Sequence, residues 1–394
     1  MSNMKTRNNN QISLRVLIGG MLGMVVAMGI GRFAYTPILP LMQRDLGISN
    51  SLAGSLAALN YAGYLAGALL CMLAPHLLRN RVISATSLLI SIASTLAMGL
   101  TYSEFAWGTM RFFSGLASAI LFIVITAEVA ETLIRHNHSQ WIGTLYSGIG
   151  LGIALSGWLV PELDRLGNWS SAWLGMGALA LFTALAGLLL GRRHIDIQPP
   201  AAQSSAPADH AQRLWPLVVA YFLEGLGYIV TATFLVAIIT ATPGMQHFAP
   251  YSWVAVGLAA IPSTTIWPLL ARLIGNKTAL LAAFALQAAG IVISIHATTF
   301  GEVLFVAVSF GATFLGIVTL TLSEGNRRWP HDTRRAAAVL TTAFSLGQMF
   351  GPAIAGMLAD HDAGFAFPLG LAASCVICGG TILLFDRFSH SPIN

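Results

Sequence analysis

A series of long apolar runs, separated mostly by short polar breaks, is the feature that most constrains this chain. A run of about 20 apolar residues is what an α-helix needs to cross a bilayer. Only 9% of the 394 residues are charged and 56% are hydrophobic, whereas a soluble domain carries roughly 25% charged residues because its surface faces water. Because the runs are continuous and do not alternate, they predict membrane helices and exclude a barrel. The sequence therefore predicts an all-α membrane protein.

Twelve runs qualify as membrane spans. Some are longer than a bilayer requires, so we expect tilted or protruding helices. Spans 1 to 12 are predicted at residues 14–41, 50–74, 82–101, 104–134, 141–161, 170–191, 214–241, 250–274, 278–297, 300–323, 334–359 and 364–386.

Lysine and arginine are distributed unevenly between the two sides of these spans. With a cytoplasmic N-terminus, sixteen of the twenty basic residues lie on the cytoplasmic side, two lie outside and two lie within spans. Cytoplasmic loops carry such an excess of Lys and Arg. We therefore expect a multi-pass protein of the bacterial cytoplasmic (inner) membrane with both termini in the cytoplasm. The net charge of +5 then reflects topology, and no nucleic-acid partner is needed to explain it.

One sustained polar segment divides the chain into two halves. Residues 192–213 read RRHIDIQPPAAQSSAPADHAQR, a composition typical of a flexible linker. We therefore predict an N-terminal six-helix bundle at residues 1–191, a cytoplasmic linker at 192–213 and a C-terminal six-helix bundle at 214–394.

The two halves also share a glycine pattern. Gly29 and Gly31 of span 1 recur as Gly225 and Gly227 of span 7, at an offset of 196. A repeat six spans apart keeps the same orientation in both halves, so it predicts a parallel pseudo-twofold with a binding site between the bundles. Three glycines of span 5 recur in span 11 at an offset of 199, Gly148, Gly152 and Gly157 against Gly347, Gly351 and Gly356.

With this organisation the chain resembles the major facilitator superfamily over nearly its whole length. In span 4, Arg111 and Gly115 of MRFFSGLASA are similar to the superfamily's Arg-x-x-x-Gly motif. In span 11, Gly351 and Pro352 of GQMFGPAIAG are similar to its Gly-Pro helix-packing motif. Residues 29–40, GIGRFAYTPILP, resemble the signature of a poorly characterised bacterial branch of transporters. The resemblance implies alternating access and, for Arg111, a part in proton coupling.

The loops that usually carry Gly-x-x-x-Asp-Arg-x-Gly-Arg-Lys depart from the superfamily pattern. The loop after span 2 reads LAPHLLRNR and has no aspartate. Its counterpart in the second half, LARLIGNK, keeps Gly275 and Lys277 but has Arg272 near the expected aspartate. The sequence thus departs from the superfamily pattern at the residues of the usual inner-gate charge relay.

Two ionisable residues lie well inside spans, where a charge costs about 2.5–3.5 kcal/mol on insertion scales. They are Arg32 in span 1 and Glu224 in span 7. When the two Gly-x-Gly pairs are superposed, Glu224 aligns with Met28, which lies on the same helical face as Arg32. We expect Arg32 and Glu224 to define the polar centre of the pathway, either paired or engaging substrate and proton alternately. The alternatives are a fixed structural ion pair, or an Arg32 that extends to the lipid headgroups.

Further candidates for substrate binding or coupling are aromatic, amide and cationic side chains within the spans. Such groups can orient a solute when they converge on a cavity, but they are also ordinary in helix packing. Arg111 has a structural alternative, in which it binds backbone carbonyls. The full set of candidates is Arg32, Glu224, Arg111, Tyr35, Asn60, Tyr61, Tyr64, Tyr228 and Gln348.

Glu128 and Glu324, at an offset of 196, lie near the cytoplasmic ends of spans 4 and 10. Because Arg135 and Arg327 are close in sequence, we interpret all four as gate residues that form salt bridges. The alternative is that the two glutamates are proton sites.

These observations predict a secondary active transporter of a small organic solute, working by alternating access. The sequence has no Walker motif and no histidine within the centre of a span, so we expect neither ATP hydrolysis nor a metal site or cofactor. It has no clustered catalytic groups, so we expect no enzyme. Glu224 is the best proton carrier, and we expect a functional monomer whose partners are the solute, protons and lipid.

The direction and the cargo stay open between alternatives. By analogy with antiporters that carry the Gly-Pro motif, we lean slightly to efflux of amphipathic or cationic compounds. Arg32 and Arg111 would suit uptake of a small organic anion such as a carboxylate instead. A membrane sensor that does not transport is the alternative from a different class.

Overall fold

The computed structural model describes residues 2–76, 80–191, 213–362 and 364–386. Within those ranges, twelve helical segments are long and apolar enough to cross a membrane, as predicted. Short turns precede two of them, Ser139–Trp141 and Ile142–Leu145 before span 5 and Gln246–Phe248 before span 8. The helices of spans 2 to 12 are Asn50–Leu73, Arg81–Met98, Glu104–Arg135, Ser147–Arg165, Trp169–Gly191, Trp215–Ala241, Ala249–Ile274, Asn276–Ser294, Phe300–Arg328, Thr333–His361 and Ala366–Phe385.

Span 1 is not one continuous α-helix. The α-helix Ser2–Met24 passes into a π-helical segment, Val25–Ile30, and a second α-helix, Tyr35–Leu46, follows a turn at residues 31–34. Gly29 allows span 5 to approach the π-helical segment, because an added Cβ would lie 2.5 Å from the Cα of Gly152. A π-helical turn is rare and frequently marks a functional site.

The packing reproduces the glycine repeat. Gly148 and Gly152 of span 5 lie against the backbone of span 1, and their counterparts in span 11 lie in the same way against span 7. The third glycine of each set faces the other half of the molecule, Gly157 against span 8 and Gly356 against span 2. Spans 1–6 and 7–12 thus form two six-helix bundles related by a parallel pseudo-twofold, which is the predicted fold class.

The bundles meet through two equivalent pairs of spans, 2 with 11 and 5 with 8. Small residues allow the backbones of each pair to come close. A Cβ added to Gly54 would lie 2.1 Å from the carbonyl oxygen of Pro352, and one added to Gly257 would lie 2.3 Å from the amide nitrogen of Ala154. The predicted linker at residues 192–213 lies, apart from Arg213, outside the described residues, so the domain limits stay predictions.

We call the end of the molecule that carries Arg81, Arg135 and Arg334 the basic end, and the opposite one the far end. At the far end the Asp360 carboxylate accepts hydrogen bonds from the backbone N–H groups of Asn50 (3.0 Å) and Ser51 (2.8 Å), the first residues of span 2. A carboxylate is favourable at a helix N-terminus. The bundles are therefore closed against each other at the far end.

Span 1 and span 7 also touch near this closure. The Thr36 hydroxyl donates a hydrogen bond to the carbonyl oxygen of Ala232 at 2.5 Å. The two residues are 196 positions apart, which is the offset of the repeat, so this contact lies close to the pseudo-twofold axis.

Gly148→Ala and Gly347→Ala should destabilise the protein to a similar degree. Each new methyl group would lie 2.3 Å from a backbone oxygen of the neighbouring span, that of Met21 or of Phe222. Overpacking of this kind costs about 1–3 kcal/mol. Thermal melting of the purified protein measures the effect, with Gly370→Ala as the control because nothing lies within 4 Å of its Cβ. Melting of all three variants at the wild-type temperature would contradict this packing.

Candidate functional site: a cavity between the two bundles

A cavity of about 770 Å³ lies between the bundles. Its deep part is lined by buried Arg32, Tyr228 and Gln348, and its mouth by exposed His76 and Arg334 at the basic end. Ligand pockets have volumes of about 300–1,000 Å³, so this cavity is large enough for a small organic molecule. It opens at the basic end and is closed at the far end.

Arg32 is a buried cation in the deep part of this cavity. The residue is only 4% exposed, and its guanidinium carbon lies 4.6 Å and 4.4 Å from the ring centroids of Tyr61 and Tyr64. These distances are typical of cation–π contacts. Its Nε and Nη2 atoms make no hydrogen bond, and no acidic side chain in the described ranges forms an ion pair with it. Two buried donor atoms of Arg32 therefore lack a partner, and the side chain does not extend to the lipid headgroups.

Span 4 stabilises the part of span 1 where the α-helix is interrupted and where Arg32 lies. The Ser114 hydroxyl donates a hydrogen bond to the Gly31 carbonyl oxygen at 2.8 Å. The Arg111 guanidinium makes longer hydrogen bonds, of 3.4 Å and 3.5 Å, to the carbonyl oxygens of Gly31 and Arg32, and lies 4.6 Å from the Tyr35 ring centroid. Backbone groups inside a membrane protein need such partners where helical hydrogen bonds are missing. These contacts match the alternative in which Arg111 binds backbone carbonyl groups.

One wall of the cavity is a set of stacked aromatic rings. Tyr228 stacks on Phe344 with 5.3 Å between ring centroids, and Phe344 stacks on Tyr221 at 4.3 Å. Tyr228 also stacks on Phe314 at 6.4 Å, and Gln348 donates a hydrogen bond to the Tyr228 hydroxyl. Flat aromatic faces of this kind suit a planar ligand.

Glu224 is not among the residues that line the cavity, and it forms no ion pair with Arg32. It is fully buried, and its Oε1 atom accepts a hydrogen bond from Gln287 of span 9 at 2.9 Å. The expected arrangement in which Arg32 and Glu224 are directly paired is therefore wrong for this conformation. Met28, the repeat equivalent of Glu224, lines the cavity together with Arg32, whereas the Glu224 carboxyl group is hydrogen-bonded to span 9.

Four of the nine candidate residues line the cavity, and Tyr61 contacts one of them, Arg32. The Asn60 amide instead donates a hydrogen bond to the carbonyl oxygen of Arg111 at 2.9 Å, between spans 2 and 4. The Tyr35 hydroxyl donates one to the Ala53 carbonyl oxygen at 2.9 Å. Asn60, Tyr35 and Arg111 thus pack helices together behind the cavity, because a neighbouring span covers the face on which each lies. The four lining residues are Arg32, Tyr64, Tyr228 and Gln348.

The predicted gate residue Glu324 forms its ion pairs within its own helix. It lies 3.0 Å from Arg328 and 3.9 Å from Arg327, both on span 10. Arg328 also lies 2.7 Å from Asp386, just after span 12. These pairs join parts of the C-terminal bundle at the basic end.

In the N-terminal bundle, Arg135 pairs with Glu131 on span 4, and Glu128 is half-buried one turn earlier. The ion pair of Arg135 and those of Glu324 each lie within a single bundle. Since the cavity is open at this end, a role of the four residues in a gate stays a prediction.

Several cavity residues were not among the sequence candidates. Phe314 and Phe344 are apolar, and nothing in their spacing distinguishes them from lipid-facing residues. For Tyr221 the sequence did contain a signal. Tyr221 lies three residues before Glu224 and Tyr228 four residues after it, so both share the helical face of Glu224. Both tyrosines line the cavity.

The twelve spans, their two-bundle arrangement and the central cavity define a membrane transporter with the major facilitator fold. Residues 24–384 match the family described as "Uncharacterised MFS-type transporter YbfB". The chain belongs to this family, whose members are transporters and not enzymes.

Similar curated proteins match over part of their length. The chain is 30% identical over 128 residues to a cis,cis-muconate transport protein of Acinetobacter baylyi, which covers 32% of this chain and 28% of that protein. It is 27% identical over 187 residues to the uncharacterised transporter YgaY of Escherichia coli O157:H7, which covers 46% of this chain and 45% of that protein. The chain thus spans less than half the length of these relatives.

Solved structures share the fold at low sequence identity. A single-residue mutant of the nucleoside transporter NupG matches with a TM-score of 0.75 and 14% identity, over 95% of this chain and all of that one. A bacterial homolog of the human lysosomal transporter Spinster, in an inward-facing and unoccupied conformation, matches with a TM-score of 0.70 and 15% identity, over 97% and 99% of the two chains. At this identity the likeness establishes the fold alone.

A cysteine in place of Thr341, which lines the cavity on span 11, should react with a membrane-impermeant thiol reagent from the basic end. The background is a variant in which Cys71, Cys375 and Cys378 are replaced by serine. With the predicted topology, we expect labelling in inside-out vesicles and none in intact cells. Thr381→Cys is the matched control, because Thr381 is exposed on span 12 and does not line the cavity. Labelling of Thr341→Cys from the outside alone would contradict either the topology or the position of the opening.

Proposed function

We propose that this protein is a secondary active transporter that moves a small organic anion with a planar body, and that Arg32 binds the anion's carboxylate. The observation that carries the proposal is the buried Arg32 guanidinium, which faces the cavity without an acidic partner. An isolated buried charge is costly unless it is paired and hydrogen-bonded. A carboxylate supplies both, and the guanidinium geometry suits it.

The surroundings of Arg32 support a ligand with a conjugated or aromatic body. Tyr61 and Tyr64 cover the guanidinium, and the rings of Tyr228, Phe314 and Phe344 form the adjacent wall. The resemblance of part of the chain to a cis,cis-muconate transport protein agrees with this ligand class, because muconate is a planar conjugated dicarboxylate. The unpaired cation therefore favours the organic-anion alternative over efflux of cations.

Alternating access provides the transport step. The cavity is open at the basic end, which the charge distribution predicts to be cytoplasmic, and it is closed at the far end. The opposite state requires the hydrogen bonds of Asp360 and Thr36 across the bundles to break and the basic end to close. A proton gradient is the energy source we propose, and the gradients present set the direction of net flux.

The experiment that tests the proposal uses purified protein in proteoliposomes under an imposed pH gradient. Radiolabelled cis,cis-muconate and a panel of aromatic monocarboxylates are the test solutes, and the corresponding amides are the controls. We expect uptake or exchange of carboxylates and none of their neutral amides. Equal transport of acids and amides, or transport of organic cations alone, would contradict the assignment of an anion.

Arg32→Gln should weaken carboxylate binding by about 10- to 100-fold, because a hydrogen-bonded charge is worth about 1.5–3 kcal/mol. Titration calorimetry of the purified protein with a transported carboxylate measures the dissociation constant. Arg165→Gln is the control, since Arg165 is exposed and pairs with Glu162 of its own helix. An unchanged dissociation constant in a well-folded Arg32→Gln variant would rule out Arg32 as the anion site.

A further inference from the structure

We propose that Glu224 is a proton-binding site separate from the anion site, and that the Gln287 amide reverses its orientation when Glu224 gains or loses its proton. The proposal builds on the transport function above, because it assigns the coupling proton to a residue behind the cavity wall. It depends on a chain of three hydrogen-bonded side chains that the cavity does not include.

The three hydrogen-bonded side chains come from span 7, span 9 and span 10. The Gln287 amide bridges Glu224 and Thr313, with 2.9 Å between its Nε2 and the Glu224 Oε1, and 2.8 Å between its Oε1 and the Thr313 hydroxyl. All three residues are at most 1% exposed. The second carboxyl oxygen of Glu224, Oε2, has no hydrogen-bond partner. The three side chains form a buried, hydrogen-bonded site inside the C-terminal bundle. One atom of this site, the Glu224 Oε2, lacks a hydrogen-bond partner.

Counting protons shows that these three side chains can form two different patterns of hydrogen bonds in which each donor has an acceptor. The Thr313 hydroxyl has one proton but lies near two good acceptors, the Gln287 Oε1 at 2.8 Å and the Ser309 carbonyl oxygen at 2.6 Å. It can donate to one of them at a time. Which amide atom of Gln287 faces Glu224 is likewise decided by the hydrogen-bond network.

With Glu224 charged, Gln287 donates to the carboxylate from Nε2 and accepts the Thr313 proton at Oε1. With Glu224 protonated, the carboxyl group donates to Gln287 Oε1, and the reversed amide donates from Nε2 to the Thr313 oxygen. The Thr313 proton then turns to the Ser309 carbonyl, the usual bond of a threonine within a helix. Both arrangements use the same heavy-atom positions, so one proton and one amide rotation convert one into the other.

The surroundings favour the protonated arrangement in this conformation. Spans 9 and 10 face Glu224 with the neutral Gln287 and Thr313, and no Lys, Arg or His within the described ranges forms an ion pair with it. The titratable neighbours on its own helix are Tyr221 and Tyr228. A charged carboxylate with an unpartnered oxygen in a dry site is costly. The neutral carboxyl group avoids that cost.

The two tyrosines connect this site to the anion site. Tyr221 and Tyr228 share the helical face of Glu224 and line the cavity together with Arg32 of span 1. An anion on Arg32 removes positive charge from this region, and positive charge is what would otherwise stabilise a charged Glu224. Anion and proton should therefore bind cooperatively, and each should raise the affinity for the other by the same factor. Cooperative binding of this kind favours symport of anion and proton.

Infrared difference spectroscopy during a pH titration detects the proton on Glu224 without any transport assay. We expect the carboxylic C=O band of the wild type to be missing in Glu224→Gln, and to shift in Gln287→Leu, which lacks the hydrogen-bonding amide. The pH midpoint of the band in Gln287→Leu should rise by on the order of one pH unit, because the charged carboxylate loses a stronger hydrogen bond than the neutral carboxyl group does. Glu104→Gln, at an exposed position on span 4, is the control and should keep the wild-type band.

Proteoliposomes supply the second readout. In Glu224→Gln we expect anion-driven proton flux to be lost, and the anion exchange that remains should no longer depend on pH. A band that persists in Glu224→Gln, a band unmoved in Gln287→Leu, or full proton flux in Glu224→Gln would each overturn the proposal. If the wild type transports no anion, the proposed function fails, while the infrared titration still decides whether Glu224 binds a proton.

Discussion

The site depends on the place in span 1 where the backbone leaves the α-helix. An uninterrupted helix would satisfy its own hydrogen bonds inside the membrane, whereas a π-helical turn and residues 31–34 leave carbonyl groups that need other donors. Ser114 and Arg111 of span 4 supply those donors, and the contact between Gly29 and Gly152 lets span 5 support the same segment. The result is that Arg32 faces a cavity instead of a neighbouring helix.

A second constraint is that the buried cation Arg32 and the buried acid Glu224 are kept apart. A direct ion pair between Arg32 and Glu224 would satisfy both and leave little reason for a ligand to bind, because breaking a buried pair is strongly unfavourable. Here each group is incomplete by itself. The guanidinium of Arg32 has unused donors, and the carboxyl of Glu224 has an unused oxygen. A mobile anion can pair with the first and a mobile proton can neutralise the second, so separation of the two groups makes coupling between two ligands possible.

The sequence predicted the fold well, because in a membrane the fold is determined by features that a sequence displays directly. Span length and hydrophobicity determine which segments cross the bilayer. The repeated glycines predicted the pseudo-twofold, and those of spans 5 and 11 lie at equivalent close helix contacts in the structure. Arg32 was predictable as a site candidate for a similar reason, since a charge inside a span is expensive and calls for an explanation.

The detail of the site was less predictable, because it depends on which way each helix face turns. Glu224 aligns by the repeat with the cavity-lining Met28, yet its carboxyl group is hydrogen-bonded to Gln287 of span 9 and does not line the cavity. Asn60, Tyr35 and Arg111 are polar or aromatic as expected for a binding site, yet a neighbouring span covers each of them. Phe314 and Phe344 line the cavity although their sequence context is that of ordinary membrane helices.

The most direct measurement is an experimental structure of the protein with a transported carboxylate bound. We predict that a carboxylate oxygen lies about 2.7–2.9 Å from a guanidinium nitrogen of Arg32, with the planar body of the ligand against Tyr228 and Phe344. A ligand bound elsewhere in the cavity, with the Arg32 guanidinium still contacting tyrosine rings alone, would contradict the assignment of Arg32 as the anion site.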